Sequence, residues 1–450
     1  MAKSKQKFIC QNCEAVFYKW AGRCENCGEW NSLVEQTLPE VGRSAVARSI
    51  NNGKPLQVNS LNSIPFEEGM KRLKTGIGDL DIILGGGILP GGVTLLAGQP
   101  GIGKSTLLLQ AVSNIAHNYN VLYISGEESS GQVRLRAARL GADKSSNLNF
   151  AASTSADDIA ATIRTGKYQL VVVDSVQTLH LNEITSSPGS ISQITNSSNV
   201  IINAAKETGT SVIFVGHVTK EGSIAGPKIL EHLVDVVLQF EGDRYGGFKI
   251  VRAVKNRYGS TNEAAIFEMG EKGLRIVENP SAALLAERRD EDGSVVLATL
   301  EGARPLLVEI QALVNSTNFG YPKRTASGFD INRLNLLIAV LERRTKLKLS
   351  DKDIYINVVG GIKISDPAAD LAICMAIASA SAGRRLNYDT VVFGEVGLGG
   401  EVRSVTSIEK RIAEAKKLGF TKALAPITIK DDFIIGVDNV RSTLIEYLQK

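Results

Sequence analysis

Short apolar runs alternate with longer helix-forming segments through the middle of the chain. Between residues 70 and 240 the runs are four to six residues long; Val93 to Ala97 is one, and others lie in "NVLYISGEES", "QLVVVDSVQT" and "SVIFVGHV". That alternation predicts a mainly parallel sheet covered by helices on both faces. Strand order does not follow from it. Ahead of this region, from Val34 to about Phe66, the sequence turns polar and loses aromatics, which predicts a linker. From about Ala283 a second α/β pattern begins, around the charged turn "ERRDEDG". Inside it "LAICMAIA" is an apolar helical run, so its Cys374 is expected to be a buried packing residue. The longest uncharged run, Ile82 to Gly103, holds eight glycines and two prolines and is a poor spanning helix.

Composition narrows the class. The 450 residues are 43% hydrophobic and 22% charged, which suits a soluble protein of several domains. The pattern divides them into a module at 1–34, a linker at 35–65, an α/β domain at 66–280 and another at 285–450. A net charge of +4 permits a nucleic-acid partner without requiring one. The basic start "MAKSKQK" is followed by cysteines instead of an apolar segment, so no secretory signal is read and a cytoplasmic, reducing compartment is expected.

Four of the five cysteines fall in the first module, as Cys10-x2-Cys13 and Cys24-x2-Cys27 separated by ten residues. This is the spacing of a zinc ribbon or rubredoxin-like site, with each pair of thiolates meeting one tetrahedral ion. "NCG" at Asn26 to Gly28 supplies a tight turn. Four protein ligands close the site, which makes it structural, and folding of the module should then depend on Zn²⁺.

The strongest motif is "VTLLAGQPGIGKSTLLLQAV". An apolar strand enters Gly98-x4-Gly103-Lys104-Ser105 and an apolar helix leaves it, the context a phosphate-binding loop requires. Gly98, Gln99, Pro100, Gly101, Ile102, Gly103, Lys104, Ser105 and Thr106 are the expected ATP-binding residues, with backbone N–H groups around the phosphates. Lys104 would reach the β- and γ-phosphates, and Ser105 would ligate Mg²⁺. Asp174, at the end of its apolar strand, suits the Mg²⁺ shell. Glu127 is the choice for orienting the attacking water, with Glu128 in reserve. His217 ends another strand and reads equally as a γ-phosphate sensor or a satisfied edge histidine.

"KTGIGDLDIILGGGILPGGVTLLAGQPGIGKST" resembles the RecA-type ATPases. Together with the four-cysteine ribbon and "VKNRYGS", it closely resembles the bacterial RadA (Sms) family of recombination and DNA repair proteins, over nearly the whole chain. The family's KNRFG pentapeptide stands here as Lys255-Asn256-Arg257-Tyr258-Gly259. Two cations beside an aromatic could touch a neighbour's ATP or contact DNA. In related motors the similar basic pair approaches nucleotide across the subunit interface. The resemblance therefore implies a homohexameric ring in which Lys255 and Arg257 couple hydrolysis to ring motion. It also makes "NEITSSPGSISQITNSS" and "HVTKEGSIAGPKILEH", with Lys220 and Lys228, candidate loops for single-stranded DNA.

The final domain resembles the proteolytic domain of Lon, which works through a Ser–Lys dyad. Aligning "SDPAADLA" puts Ala368 at the serine position, and "GEVGLGGEVRSVTSIEK" puts Glu409 at the lysine position. Neither can do that chemistry, and a shifted dyad of Ser365 and Lys410 is the remaining route to peptidase activity. The basic runs "AEAKKLGFTK", "LERRTKLKL" and "SAGRRL" suit either a DNA-binding face or a ring scaffold.

The fold class expected is thus α/β: a RecA-like P-loop ATPase core, a small zinc ribbon and a C-terminal Lon-protease-like domain without peptidase activity. The function implied is a DNA-dependent ATPase and helicase, translocating on single-stranded DNA and promoting branch migration of branched intermediates. A recombinase and a replicative helicase are the protein partners implied, with no membrane. The rival is a KaiC-like ATP-switched scaffold that ignores DNA. The ribbon would bind DNA or a partner protein; Phe17, Tyr18, Trp20 and Trp30 read as its core or as a docking surface.

Overall fold

The structure, a computed structural model, describes residues 7–10, 15–30, 32–36, 60, 71–217, 229–242, 247–317, 320–427 and 431–448. Cys13, most of the expected linker, and Lys220 and Lys228 lie outside them. The chain divides into two compact units, Met1–Glu68 and Gly69–Lys450.

In the first unit β1 (Lys7–Cys10) pairs antiparallel with β2 (Val16–Phe17) and β3 (Leu33–Gln36). Cys10, Cys24 and Leu33 form its core, with Phe8, Phe17 and Ala21 packed against them. Of the expected aromatic core only Phe17 is there. Tyr18, Trp20 and Trp30 are 68%, 61% and 68% exposed, because among the described residues this short three-stranded sheet has no second layer to cover them.

The second unit opens with α1 (Gly78–Ile83), followed by β4 (Val93–Gly98), α2 (Lys104–Ile115) and β5 (Val121–Ser125). Next come α3 (Ser130–Leu140), β6 (Leu148–Ala152), α4 (Ala156–Arg164), β7 (Leu170–Asp174) and α5 (Ile191–Thr208). After β8 (Ser211–His217) and α6 (Ile229–Leu233), four strands close this half: β9 (Val236–Gly242), β10 (Lys249–Asn256), β11 (Ala264–Gly270) and β12 (Gly273–Ile276). Their order is β12-β11-β10-β9-β4-β8-β7-β5-β6. The six strands from β9 to β6 are parallel, and β10 to β12 run antiparallel. Alternate strand residues feed two cores, as the pleat requires: Val172 and Val215 pack with α2, Val171 and Phe214 with α4 and α5.

The serine-rich stretch read as a loop after Asp174 is only half a loop. Ser190 caps α5, and Gln193 bonds Leu181, Ile184 and Ser186, folding the rest of the stretch onto the domain. Its small polar residues Ser197 and Ser198 are buried where α5 packs closely.

A short helix α7 (Pro280–Leu285) leads to a second sheet. It is built from β13 (Ser294–Glu301), β14 (Arg304–Ser316), β15 (Arg324–Ser327), β16 (Lys352–Val358), β17 (Thr390–Val392), β20 (Lys422–Pro426) and β21 (Ile434–Val437). A ribbon of β18 (Glu395–Val396) and β19 (Val402–Arg403) stands apart. The sheet order is β15-β16-β14-β13-β17-β20-β21. Helices α8 (Ile331–Val340), α9 (Ala369–Ala382), α10 (Ile408–Lys417) and α11 (Val440–Tyr447) complete this half. Every residue of α9 from Ala369 to Ser379 is buried, all of them apolar except Asp370, which pairs with Arg333, and Ser379; Cys374 lies inside with its thiol pushed up by burial.

The two sheets share a wall. On β10 and β11, Val251, Ala253, Ala265 and Phe267 face the first sheet's core, whereas Ile250, Ala264 and Ile266 join the core of the second. Arg252 bridges Glu241 and Glu301 at the seam, and Arg304 bonds Asp79 at 2.9 Å.

Candidate nucleotide site and metal centre

The carboxyl end of β4 turns into the glycine-rich loop and then α2. Gly101 (φ 78°) and Gly103 (φ 119°) hold left-handed backbone that other residues adopt only under strain, and space is open where a Cβ of Gly101 would stand. Helices α3, α4 and α5 are capped by Ser129, Ser155 and Ser190, whereas α2 has no side-chain cap and no acid in its first turn. The N–H groups of its first turn therefore face the loop with no capping side chain on them, which suits a polyphosphate.

Lys104 lies buried beside this loop. Its Nζ donates to the carbonyls of Gly98 (2.8 Å) and Gln99 (3.0 Å) and lies 3.2 Å from His217 Nδ1. Burial lowers its pKa to about 8 against the opposing pull of Asp174 and Glu127. Ser105 Oγ donates to Asp174 Oδ2 at 2.7 Å, and Tyr123 OH donates to the same oxygen at 2.6 Å. Ser105 and Asp174 thus form a hydroxyl–carboxylate pair that fits a Mg²⁺ ion, which takes one or two protein oxygens and keeps waters and phosphates as other ligands.

Of the two carboxylates after β5, Glu127 is the one in this network. Its Oε1 lies 3.1 Å from His217 Nε2 and accepts from Ser175 Oγ. The His217 hydrogen bond, with that of Ser175, draws its pKa down to about 2 despite partial burial. It is a carboxylate at any working pH and so can accept a hydrogen bond from a water and orient it. Glu128 pairs instead with Arg136 on α3. His217 bridges Lys104 and Glu127, which joins the cation side of the site to the carboxylate side.

Lys255 and Arg257 are elsewhere. β10 runs antiparallel to β9, and Asn256 pairs with Val236, next to Thr94 at the amino end of β4. The pentapeptide therefore sits on the opposite edge of the sheet from the loop, about 17 Å away along five residues of strand. There Lys255 Nζ donates to the carbonyls of Glu231 (2.6 Å) and Val234 (2.7 Å), and Arg257 Nη1 to Asp235 Oδ1 (3.0 Å). Asn256 is half-buried, donating to Ile83 O and accepting from Tyr258 N, and the Tyr258 ring packs against the core.

In the first unit the sulfurs of Cys10, Cys24 and Cys27 lie within 4.8 Å of one another, and Cys10 and Cys27 are 3.6 Å apart. Sulfurs of a tetrahedral site with Zn–S of ~2.3 Å stand about 3.8 Å apart, so three of the four expected ligands fit zinc. The expected turn is present: Gly28 (φ 76°) donates to the Cys24 carbonyl at 2.8 Å.

At the Lon-like positions Ala368 is fully buried at the start of α9, and Glu409 is exposed. Of the alternative pair, Ser365 is exposed and Lys410 Nζ turns to the Ala303 carbonyl at 3.2 Å. Arg411, the residue after Lys410, is 0% exposed, pairs with Asp366 at 2.7 Å and donates to Ala298 O and Thr406 O.

Sequence reasoning missed Tyr123, Ser175, Asp235 and Arg411. Only Tyr123 left a signal, a phenol in a buried strand that had to find a partner.

A phosphate-binding loop at the carboxyl edge of a mainly parallel sheet, with a thiol cluster in a separate small module, defines a P-loop ATPase of RecA-like fold with a zinc ribbon. Three family models match: "AAA domain" over residues 69–223, "Rubredoxin metal binding domain" over 8–35 and "Subunit ChlI of Mg-chelatase" over 334–429. Proteins called DNA repair protein RadA are similar along their length. That of Bacillus subtilis is 48% identical, covering 99% of each chain, and that of Aquifex aeolicus 44%, covering 100% of this chain and 99% of that one. That of Pseudomonas aeruginosa is 46% identical over 95% of this chain and 94% of its own. The chain belongs to the RadA family. A solved structure described as the RadB recombinase aligns with 46% of this chain and 100% of its own at 23% identity and a TM-score of 0.37. Among the described residues no helix is long and apolar enough to cross a membrane.

Proposed function

We propose that this protein is a DNA-dependent, Mg²⁺-ATP-hydrolysing motor for DNA repair. As a homohexameric ring in the cytoplasm it translocates on single-stranded DNA and branch-migrates recombination intermediates alongside a recombinase. Glu127 orients the attacking water, and Ser105 and Asp174 hold Mg²⁺. Lys104 binds the phosphates, and Lys255 and Arg257 act on the nucleotide of the neighbouring subunit. The observation that carries this reading is the separation of the two cations from their own chain's loop by the length of β4. A cation exposed on the far edge of the sheet serves an ATP only if another subunit brings one to it. The degenerate Ser–Lys positions support a C-terminal domain that contributes assembly or DNA contact without peptidase activity.

The deciding measurement is steady-state ATP hydrolysis with and without single-stranded DNA, on the native protein, Arg257→Ala, Lys104→Ala and an equimolar mixture of the two variants. DNA should stimulate the native protein several-fold. Each variant alone should be nearly inactive, Arg257→Ala while still binding ATP, and the mixture should regain activity where an intact Arg257 meets an intact Lys104. A rate indifferent to DNA would favour the ATP-switched scaffold, and a mixture no better than its parts would remove the trans role.

A further inference from the structure

Arg257 is more than half exposed, yet one edge of its guanidinium is held. Nη1 bonds Oδ1 of Asp235 at 3.0 Å, and the side chain of that aspartate is 7% exposed. Asp235 is itself fixed on both sides. Its Oδ2 accepts the N–H of Val93, the first residue of β4, at 3.0 Å, and its own N–H donates to Val93 O at 2.9 Å. Its carbonyl accepts the N–H of Arg257 at 3.2 Å. The same segment holds the second cation, since Lys255 donates to the carbonyls of Glu231 and Val234 immediately before Asp235.

A lone arginine on a turn samples many rotamers, and that freedom must be lost before it can meet a phosphate. A buried carboxylate on one edge removes most of it and leaves the rest of the fork directed outwards. The carboxylate is tied to the base of the strand whose other end is the phosphate loop of the same chain. We infer that Asp235 is the positioning residue for Arg257: it sets the guanidinium in one orientation at the base of β4 and, given the trans role proposed above, presents it to the phosphates of the adjacent subunit. Through β4 the state of one loop is then joined by a single rigid strand to the cation offered to the next site.

The test is kinetic, on Asp235→Asn, Arg257→Ala and the double variant of the full chain, with ATP affinity followed by a fluorescent ATP analogue and folding by thermal melting. Asn keeps an oxygen for the Val93 N–H but loses the charge that orients the guanidinium. A misplaced catalytic group costs on the order of 10- to 100-fold, so kcat should fall about tenfold or more in Asp235→Asn while ATP affinity stays within about twofold. The double variant should be no slower than Arg257→Ala alone. Lys104→Ala subunits should restore activity to Asp235→Asn in mixed rings, and Arg257→Ala subunits should not. An unchanged kcat in Asp235→Asn, or losses that multiply in the double variant, overturns the role of Asp235 while leaving the trans cation standing. A fully active Arg257→Ala removes both. If Asp235→Asn lacks a native melting transition, Asp235→Glu serves, because its longer side chain displaces the guanidinium and the same kcat loss is expected.

Discussion

Two buried cations, one under each sheet, have opposite surroundings. Lys104 is 5% exposed and bonded to two carbonyls and an imidazole nitrogen; among the described residues no carboxylate oxygen lies within ion-pair distance of it. Burial depresses its pKa, so the fold holds the ammonium at a cost. Arg411 is 0% exposed and has its own anion, Asp366, whose oxygens are in turn bonded by Thr299, Leu300 and Ala368. The first arrangement is left short of negative charge, which a polyphosphate can supply. The second is neutral within itself, and the one Arg411 nitrogen without a hydrogen-bond partner among the described residues, Nη2, is buried away from solvent. Buried charge therefore marks a binding site in one half of the unit and an internal brace in the other, and only the partners tell the two apart.

That contrast can be broken by substitution. Arg411→Ala strands Asp366 without its cation and should lower the unfolding free energy by about 3–5 kcal/mol, read from urea denaturation of the full chain. A loss under 1 kcal/mol would mean that Asp366 finds water or is protonated, and the brace reading would fail. Lys104→Ala should do the reverse. Hydrolysis should fall on the order of 10²- to 10³-fold, whereas the melting temperature should stay level or rise, because a costly buried ammonium is removed. A marked drop in melting temperature would show that Lys104 is structural.

The smallest effect sharpens the comparison by pH. Since the folded pKa of Lys104 is about 8, below its unfolded 10.5, the protein without nucleotide is part-neutral there at pH 8. Phosphates favour the ammonium, so ATP binding at pH 8 should take up roughly half a proton and weaken as pH rises further. Calorimetric titration in two buffers of different ionisation enthalpy measures this directly. No proton uptake at pH 8, with affinity flat to pH 9, would show that the ammonium is fully charged before ATP arrives.

Features that depend on neighbours in sequence were legible from the chain alone. The loop from Gly98 to Ser105, the strands ending at Asp174 and His217, the strand read as running to Glu127 and Glu128, which stops at Ser125, and the cysteine spacing each lie within one short stretch, where periodicity and spacing act. The parallel sheet covered on both faces followed from the same alternation. Tertiary structure decided what strand order brings together: the contact of Glu127 with His217, the bond from Tyr123 to Asp174 and the wall shared at β10 and β11. It also decided that Arg257 faces Asp235 at the far edge of the sheet, 22 residues away in sequence. Pattern along a chain is set by local backbone geometry and burial, whereas these contacts join side chains from strands whose adjacency no local rule specifies.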